Sequence, residues 1–274
     1  MGAGHHVRLV VTRPDRRRGR GADLNPSPVK AEAQLLGIPV AHSIEAAVDA
    51  GAELGVVVAY GRIVPQRVLE HLPMVNLHFS LLPRWRGAAP VERAILAGDD
   101  VTGVCAMALE ATLDTGPLYA VERVPIGPGE HLGPLRDRLV HAGSQLLVDL
   151  LSGDLPVPRP QRGEPVYADK IDPADLELRW ARPAVELERV VRLDRAFTTW
   201  RGRRLRVLEA EAGVTPAGAA ARVLRPGTLV GDVVVAGEGG LRLQRVQPEG
   251  RTPMAAATWI RGARPGEGER LGDR

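Results

Sequence analysis

An asparagine and a histidine stand two residues apart in VNLHFS (75–80), and an aspartate follows at position 114 in LDTG (113–116). On an extended strand the side chains of residues i and i+2 share a face, so Asn76 and His78 point the same way. An amide, an imidazole and a carboxylate converging at one rim suit acyl-type transfer. The amide donates to a carbonyl oxygen as it becomes an oxyanion. The imidazole, beside a carboxylate, donates a second bond and moves protons. Taken singly, each residue has a bland reading: a histidine at a strand end is commonly structural, and Asp-Thr-Gly is commonly a turn. What sets them apart is the segment between them, SLLPRWRGAAP (80–90), whose composition is too particular for a generic loop.

The elements that must position these groups follow from the apolar pattern. Val7–Thr12, Gly55–Ala59, Val75–His78 and Val104–Leu109 read as strands buried on both faces. Val29–Leu36, Pro65–Leu72 and Pro90–Leu96 read as helices with Pro near their starts, and Leu132–Leu151 as a longer one. Such alternation predicts a doubly wound, mostly parallel α/β sheet of Rossmann-like type, with Asn76 and His78 at the C-terminal end of one strand and Asp114 at the C-terminal edge of the next. PVPRPQRGEP (156–165) reads as an extended linker. Beyond it come a helix over Ala184–Val191 and short runs at Leu205–Leu208, Thr228–Val230, Asp232–Ala236 and Leu241–Val246, which predict a small antiparallel barrel of OB-like type. The expected division is a catalytic domain over 1–152, a linker over 153–172, a barrel over 173–265 and a loose tail over 266–274.

Composition narrows the classes. Hydrophobic residues make up 44% and charged residues 25%, an ordinary globular balance, while aromatics are only 3% against 31 Gly and 23 Pro. The single cysteine, Cys105, excludes an internal disulfide and CxxC-type zinc sites. No run is long and apolar enough to span a bilayer and no signal peptide is visible, so the cytoplasm is the expected compartment. Gly19 and Gly21 make no dinucleotide fingerprint, which argues against a nicotinamide cofactor.

Charge is uneven: residues 1–150 carry a net −1 and residues 151–274 a net +4. The second half is the better polyanion surface. Arg13, Arg16, Arg17, Arg18 and Arg20 crowd one loop leaving a strand, with Asp15 the only acid among them. A second cluster (Arg189, Arg192, Arg195, Arg201, Arg203, Arg204, Arg206) surrounds Asp194. Both can be read as solvated charge or as phosphate-binding surface, since guanidinium groups pair with phosphates and stack on bases. Trp85 beside Arg84 can equally stack on a ligand or pack the loop.

NLHFSLLPRWRGAAPVERAILAGD (76–99) resembles the signature of the folate-dependent formyltransferases. TRPDRRRGRGADLNPSPVKAEAQLLGIPV (12–40), VVVAYGRIVPQRVL (56–69), YADKIDP (167–173), PGTL (226–229) and VQPEGRTPMAAATWIRG (246–262) agree. The resemblance covers nearly the whole chain. The basic loop and the second domain favour the branch whose amine substrate is initiator methionyl-tRNA. It implies Asn76, His78 and Asp114 as the catalytic trio and Ser80, Leu81, Leu82 and Pro83 as residues meeting the folate. It implies Arg16, Arg18, Arg20, Lys30, Arg203 and Arg204 as tRNA contacts, with Arg20 matching the key arginine of a loop that enters the acceptor end. It further implies 10-formyltetrahydrofolate as co-substrate, no metal, no covalent intermediate, and a monomer that binds no membrane. Formyl transfer to another amine, such as a sugar nucleotide, and an inactive tRNA-binding relic are the competing readings.

The sequence departs from the family in two places. Family members open with a strand, a Gly-Thr-Pro turn and a helix before the strand seen here at Val7, and MGAGHHV reads as the end of such a helix. The expectation is a start upstream of Met1, a degenerate protein being the other reading. AFTTW (196–200) is shorter than the family's usual Pro- and Trp-containing stretch.

Overall fold

Short apolar runs, several bounded by Pro or Gly, supply most of the elements of the first half. They are β1 (Val10–Val11), β2 (Arg16–Arg17), β3 (Leu24–Asn25), α1 (Pro28–Leu35), β4 (Val40–Ala41), α2 (Ala46–Asp49), β5 (Gly55–Val58), α3 (Gln66–Leu69), β6 (Met74–His78), β7 (Arg86–Gly87), α4 (Pro90–Ala97), β8 (Val101–Ala108), β9 (Leu118–Pro125) and α5 (Leu132–Leu150). The structure, a computed structural model, describes residues 4–17, 24–215 and 224–273. Local chemistry sets the boundaries. Ser27 Oγ accepts the Lys30 N–H at 3.0 Å to cap α1 behind Pro28, and α4 starts at Pro90 and ends on Gly98 at φ 78°.

The chain divides into two compact units. One is Met1–Ala88, Gly103–Arg123 and Val140–Tyr167; the other is Ala89–Thr102, Val124–Leu139 and Ala168–Arg274. In the first, β1 pairs parallel with β4 and β5 pairs parallel with β6, as strand–helix alternation requires. The larger sheet runs β5-β6-β8-β9. Among the described residues no strand pairing joins β1 or β4 to β5, and Val56 and Val58 of β5 stay 44% and 46% exposed.

The direction of β8 corrects one expectation. It runs antiparallel to β6, with Val75 opposite Ala108 and His78 opposite Cys105. The C-terminal end of β8 therefore lies beside the start of β6, away from His78. Asp114 reaches the histidine because residues 109–117 fold back, anchored by Ala108 N–H donating to Pro117 O at 2.9 Å. Val104, Cys105, Ala106 and Met107 are wholly buried, a pattern that reports an interior strand but not its direction.

In the second unit α6 (Ala184–Val191) buries Ala184, Leu187, Val190 and Val191, one face of a helix. β10 (Tyr167–Ala168) precedes it. There follow β11 (Phe197–Trp200), β12 (Arg203–Ala212), β13 (Leu229–Val230), β14 (Val233–Val235), β15 (Gly240–Pro248), β16 (Met254–Ala255) and α7 (Ala256–Ala263). The antiparallel order is β11-β12-β15-β14-β13, with β16 also on β15. Leu187, Val190, Val207, Val234, Leu241 and Val246 form a dry centre.

The tail expected to be loose from residue 266 is instead part of this sheet. Leu229 N–H donates to Glu269 O at 2.9 Å, Leu271 N–H to Gly227 O at 2.8 Å, and Gly272 N–H to Thr199 O at 2.9 Å. Residues 269–272 thus bond to both β13 and β11, the two ends of the strand order, and bring the open sheet toward closure. Gly, Arg and Glu dominate the tail, and the one large apolar residue that ties it down, Leu271, is 1% exposed in the core. Leu271→Ala should cost about 2–5 kcal/mol. Denaturant unfolding measures this, and a midpoint equal to wild type would contradict the structural role.

Candidate active site

Asn76 and His78 sit on the same face of β6, 8% and 6% exposed. The histidine ring is held from two sides. Nε2 lies 2.8 Å from the Trp85 carbonyl, and Nδ1 lies 3.5 Å from Asp114 Oδ2. A carbonyl only accepts, so Nε2 carries a hydrogen and donates it to Trp85 O. In the neutral ring Nδ1 then holds the lone pair. Its 3.5 Å separation from the carboxylate is long for a hydrogen bond, which leaves Nδ1 as the nitrogen able to exchange a proton with a ligand.

Asp114 is 8% exposed at φ 51°, a left-handed backbone that aspartate tolerates better than most residues. Its Oδ2 accepts the Gly87 N–H at 2.8 Å. Gly87 itself sits at φ 121°, where a side chain would be strained. Gly116 is needed for a different reason: an added Cβ would collide with the Ala108 carbonyl where the 109–117 excursion turns back.

The side-chain amide of Asn76 forms no hydrogen bond among the described residues. Nearly buried polar groups are normally paired, and one left open beside a histidine–carboxylate pair is placed to donate to a ligand. Cys105, directly across the strand pair from His78, invites a cysteine–histidine reading. Burial pushes its thiol up to about 11, so it stays protonated at neutral pH and packs with Leu82 and Met107.

The loop after β6 is built by its own side chains. Ser80, fully buried, donates through Oγ to Arg84 O at 2.6 Å. Leu82 joins the core with Cys105 and Met107, and Leu81 leans on Gly103. Pro83 O accepts the Val166 N–H at 3.2 Å. Arg84 stacks over the Trp85 ring at 4.4 Å, so that tryptophan is engaged within the loop.

The expected linker is part of the site's support, and composition alone concealed it. Leu118 and Arg159 exchange backbone hydrogen bonds at 2.7 and 2.8 Å, and Arg86 N–H donates to Val166 O at 2.8 Å. Gln161 and Arg86 were not singled out by the sequence reading, because a Pro-rich stretch reads as extended and solvated. Only its Gln hinted at specific bonding.

The expected nucleic-acid residues are scattered. Arg18 and Arg20 lie outside the described residues, and Arg16 falls in β2, which pairs with β3. Lys30 is ion-paired with Asp15 at 2.9 Å, its side chain 17% exposed, so its charge is already partnered within the chain. In the second unit, Arg203 is 71% exposed, and Arg204 stacks on Phe197 at 3.8 Å. Both border a hollow with Trp200, Pro248, Arg251 and Trp259. Trp200 and Trp259 meet edge to face at 5.4 Å, and Arg201 covers Trp200 at 4.2 Å. Among the described residues no group of three or more His, Cys, Asp or Glu is placed to hold a metal, and no helix is long and apolar enough to cross a membrane.

An open amide beside a histidine–carboxylate pair in an α/β unit, in a chain that also carries an antiparallel β-unit bearing arginines and aromatics, suits one class of protein: a group-transfer enzyme that works by addition to a carbonyl. Similarity makes the class specific. The family model described as "Formyl transferase" matches residues 2–151, and "Formyl transferase, C-terminal domain" matches residues 170–264. The chain belongs to the formyl transferase family. It is 44% identical over 280 residues to a methionyl-tRNA formyltransferase of Dinoroseobacter shibae, covering 96% of this chain and 91% of that one. It is 43% identical over 295 residues to the enzyme of that name from Thermobifida fusca, covering 100% and 94%. Among solved structures, methionyl-tRNA formyltransferase from Clostridium thermocellum shares the fold at a TM-score of 0.52 and 19% identity, over 66% of this chain and 86% of that one. HypX from Aquifex aeolicus, solved with tetrahydrofolic acid, does so at 0.59 and 17%, over 84% of this chain and 43% of that one.

Proposed function

We propose that the protein transfers the formyl group of 10-formyltetrahydrofolate to the α-amino group of initiator methionyl-tRNA. The observation that carries this reading is the unpartnered Asn76 amide beside His78 and Asp114, in a chain 44% identical to a methionyl-tRNA formyltransferase. The folate supplies a formyl group on nitrogen, an electrophilic carbonyl carbon.

A free α-amine titrates near ~7.7–8.0, and an adjacent ester lowers that, so a neutral nucleophile is available near neutral pH with little activation. Its lone pair forms the new C–N bond while the carbonyl π pair moves to oxygen, where Asn76 Nδ2–H donates. The attacking nitrogen must lose a proton and the departing folate nitrogen must gain one. His78 Nδ1 takes the first and returns it to the second, with Asp114 Oδ2 facing that nitrogen and Trp85 O holding the other. Ser80 and Leu82 use their side chains to build the loop, and Ser80, Leu81, Leu82 and Pro83 are the segment assigned to meet the folate. Catalysis is assigned to 1–152, and tRNA is gripped by the arginine loop (Arg16, Arg18, Arg20) and the domain over 173–265. Competing methionyl-tRNA against an amino-sugar nucleotide for labelled formyl tests the acceptor: label on the methionyl amine is expected, and label on the sugar amine overturns the assignment.

Arg203 and Arg204 give a separable prediction. Removing both as alanines should weaken tRNA binding and flatten its salt dependence, by roughly 0.7–0.9 in log–log slope per lost phosphate contact. Titration of tRNA binding across salt concentrations measures the slope. An unchanged slope would take both residues off the tRNA surface.

A further inference from the structure

We infer that Gln161 is a positioning residue for formyl transfer, acting on the catalytic carboxylate from within the segment that reads as a linker. The inference rests on the function proposed above. All the groups involved belong to one compact unit.

Gln161 uses its whole amide. Nε2 donates to Asp114 O at 2.8 Å and to Gly116 O at 2.9 Å. Oε1 accepts from Arg86 Nη2 at 2.6 Å and from Nε at 3.2 Å. Guanidinium groups only donate and carbonyls only accept, so the amide has one orientation that satisfies all four bonds. The next residue after Arg86 is Gly87, whose N–H donates to Asp114 Oδ2 at 2.8 Å.

These bonds close a ring: Asp114 carboxylate to Gly87, Arg86 to Gln161, and Gln161 back to the Asp114 carbonyl. Asp114 needs such a clamp for two reasons. Its backbone is left-handed at φ 51°, and it reaches His78 only through the fold-back of residues 109–117. Without Gln161 the excursion keeps the Ala108–Pro117 bond and the Gly87 bond to the carboxylate but loses both bonds to the backbone carbonyls of 114 and 116. The separation of Asp114 Oδ2 from His78 Nδ1, 3.5 Å here, is then no longer fixed from both sides. Proton transfer depends on that placement, whereas Gln161 is not among the residues assigned above to folate or tRNA.

The test compares Gln161→Ala and Gln161→Glu with wild type in the full chain, measuring kcat, KM for both substrates and the melting midpoint. Gln161→Glu is isosteric and keeps an acceptor for Arg86 but has no N–H to give the two carbonyls. Both variants should lose about 10- to 30-fold in kcat, the worth of one to one and a half hydrogen-bond-sized increments at tenfold per 1.36 kcal/mol. KM for each substrate should stay within about threefold, and the loss of kcat should persist at temperatures well below any lowered melting midpoint, a split that general loosening of the fold does not produce. The inference is overturned if kcat stays within about twofold of wild type in both variants. It is equally overturned if Gln161→Glu retains full kcat, since Arg86 anchoring alone would then suffice, or if activity falls only in step with the melting midpoint. Wild-type chain that moves no formyl to methionyl-tRNA defeats the proposed function instead, so the two failures are distinct.

Discussion

His78→Ala is expected to lower formyl transfer about 10²- to 10⁴-fold, the usual worth of a positioned general acid–base group. The proposed reaction must take a proton from one nitrogen and deliver one to another, and the proposal gives both tasks to His78. Nε2–H is fixed on Trp85 O at 2.8 Å, so Nδ1 is the exchanging atom, and Asp114 Oδ2 stands 3.5 Å from it. Alanine removes the relay and leaves Asp114 held by Gly87, by Gln161 and by the 109–117 backbone. Because His78 is 6% exposed, the variant also opens a small cavity, so its folding should be checked by unfolding alongside its rate. A folded His78→Ala protein with a rate near wild type would remove the histidine from the chemistry.

Asn76 has the second largest expected effect. Truncation to alanine should cost about 10²- to 10³-fold in kcat, the measured range for one oxyanion donor. The Asn76 side chain makes no hydrogen bond among the described residues, so its loss strands no polar partner and costs stability only through the space it leaves. Asn76→Asp sharpens the test. It preserves shape but replaces the donor with an acceptor aimed at the developing negative charge, and should be at least as slow as the alanine variant. Single-turnover rates with both substrates saturating give the comparison. A fast Asn76→Asp enzyme would show that the amide does not donate to the oxyanion. The double variant with His78→Ala should fall short of the product of the two losses, since both groups serve one adduct.

Much of this was legible because the key signals are local. Asn76 and His78 are two apart on a strand whose five residues are all buried, and the helix over Ala184–Val191 follows directly from its apolar spacing. What the sequence hid is tertiary. Periodicity reports how deeply a strand is buried but not its direction, so β8 read as parallel and Asp114 was placed on an edge that it reaches only by folding back. Composition reports solvation rather than partnership, so the Pro-rich stretch holding Gln161 read as a spacer and the Gly- and Arg-rich tail as loose, although Leu271 is buried. Nor does the sequence show that Lys30 is ion-paired with Asp15. The bond that the Ser80 hydroxyl donates to Arg84 O is equally invisible in the sequence. The strand over Leu118–Pro125 and the helix over Ala256–Ala263 escaped notice because neither has a long apolar run.

The central claim is that the formyl carbon moves from a folate nitrogen to the methionyl amine at the Asn76–His78–Asp114 site. The most direct measurement follows label from formyl-labelled 10-formyltetrahydrofolate in the presence of methionyl-tRNA, with wild-type chain and with folded His78→Ala in parallel. After hydrolysis of the tRNA ester, the label should be recovered as N-formylmethionine with wild type and be nearly absent with the variant. Label remaining on folate or appearing as free formate with wild-type protein, or equal N-formylmethionine from both proteins, would contradict it.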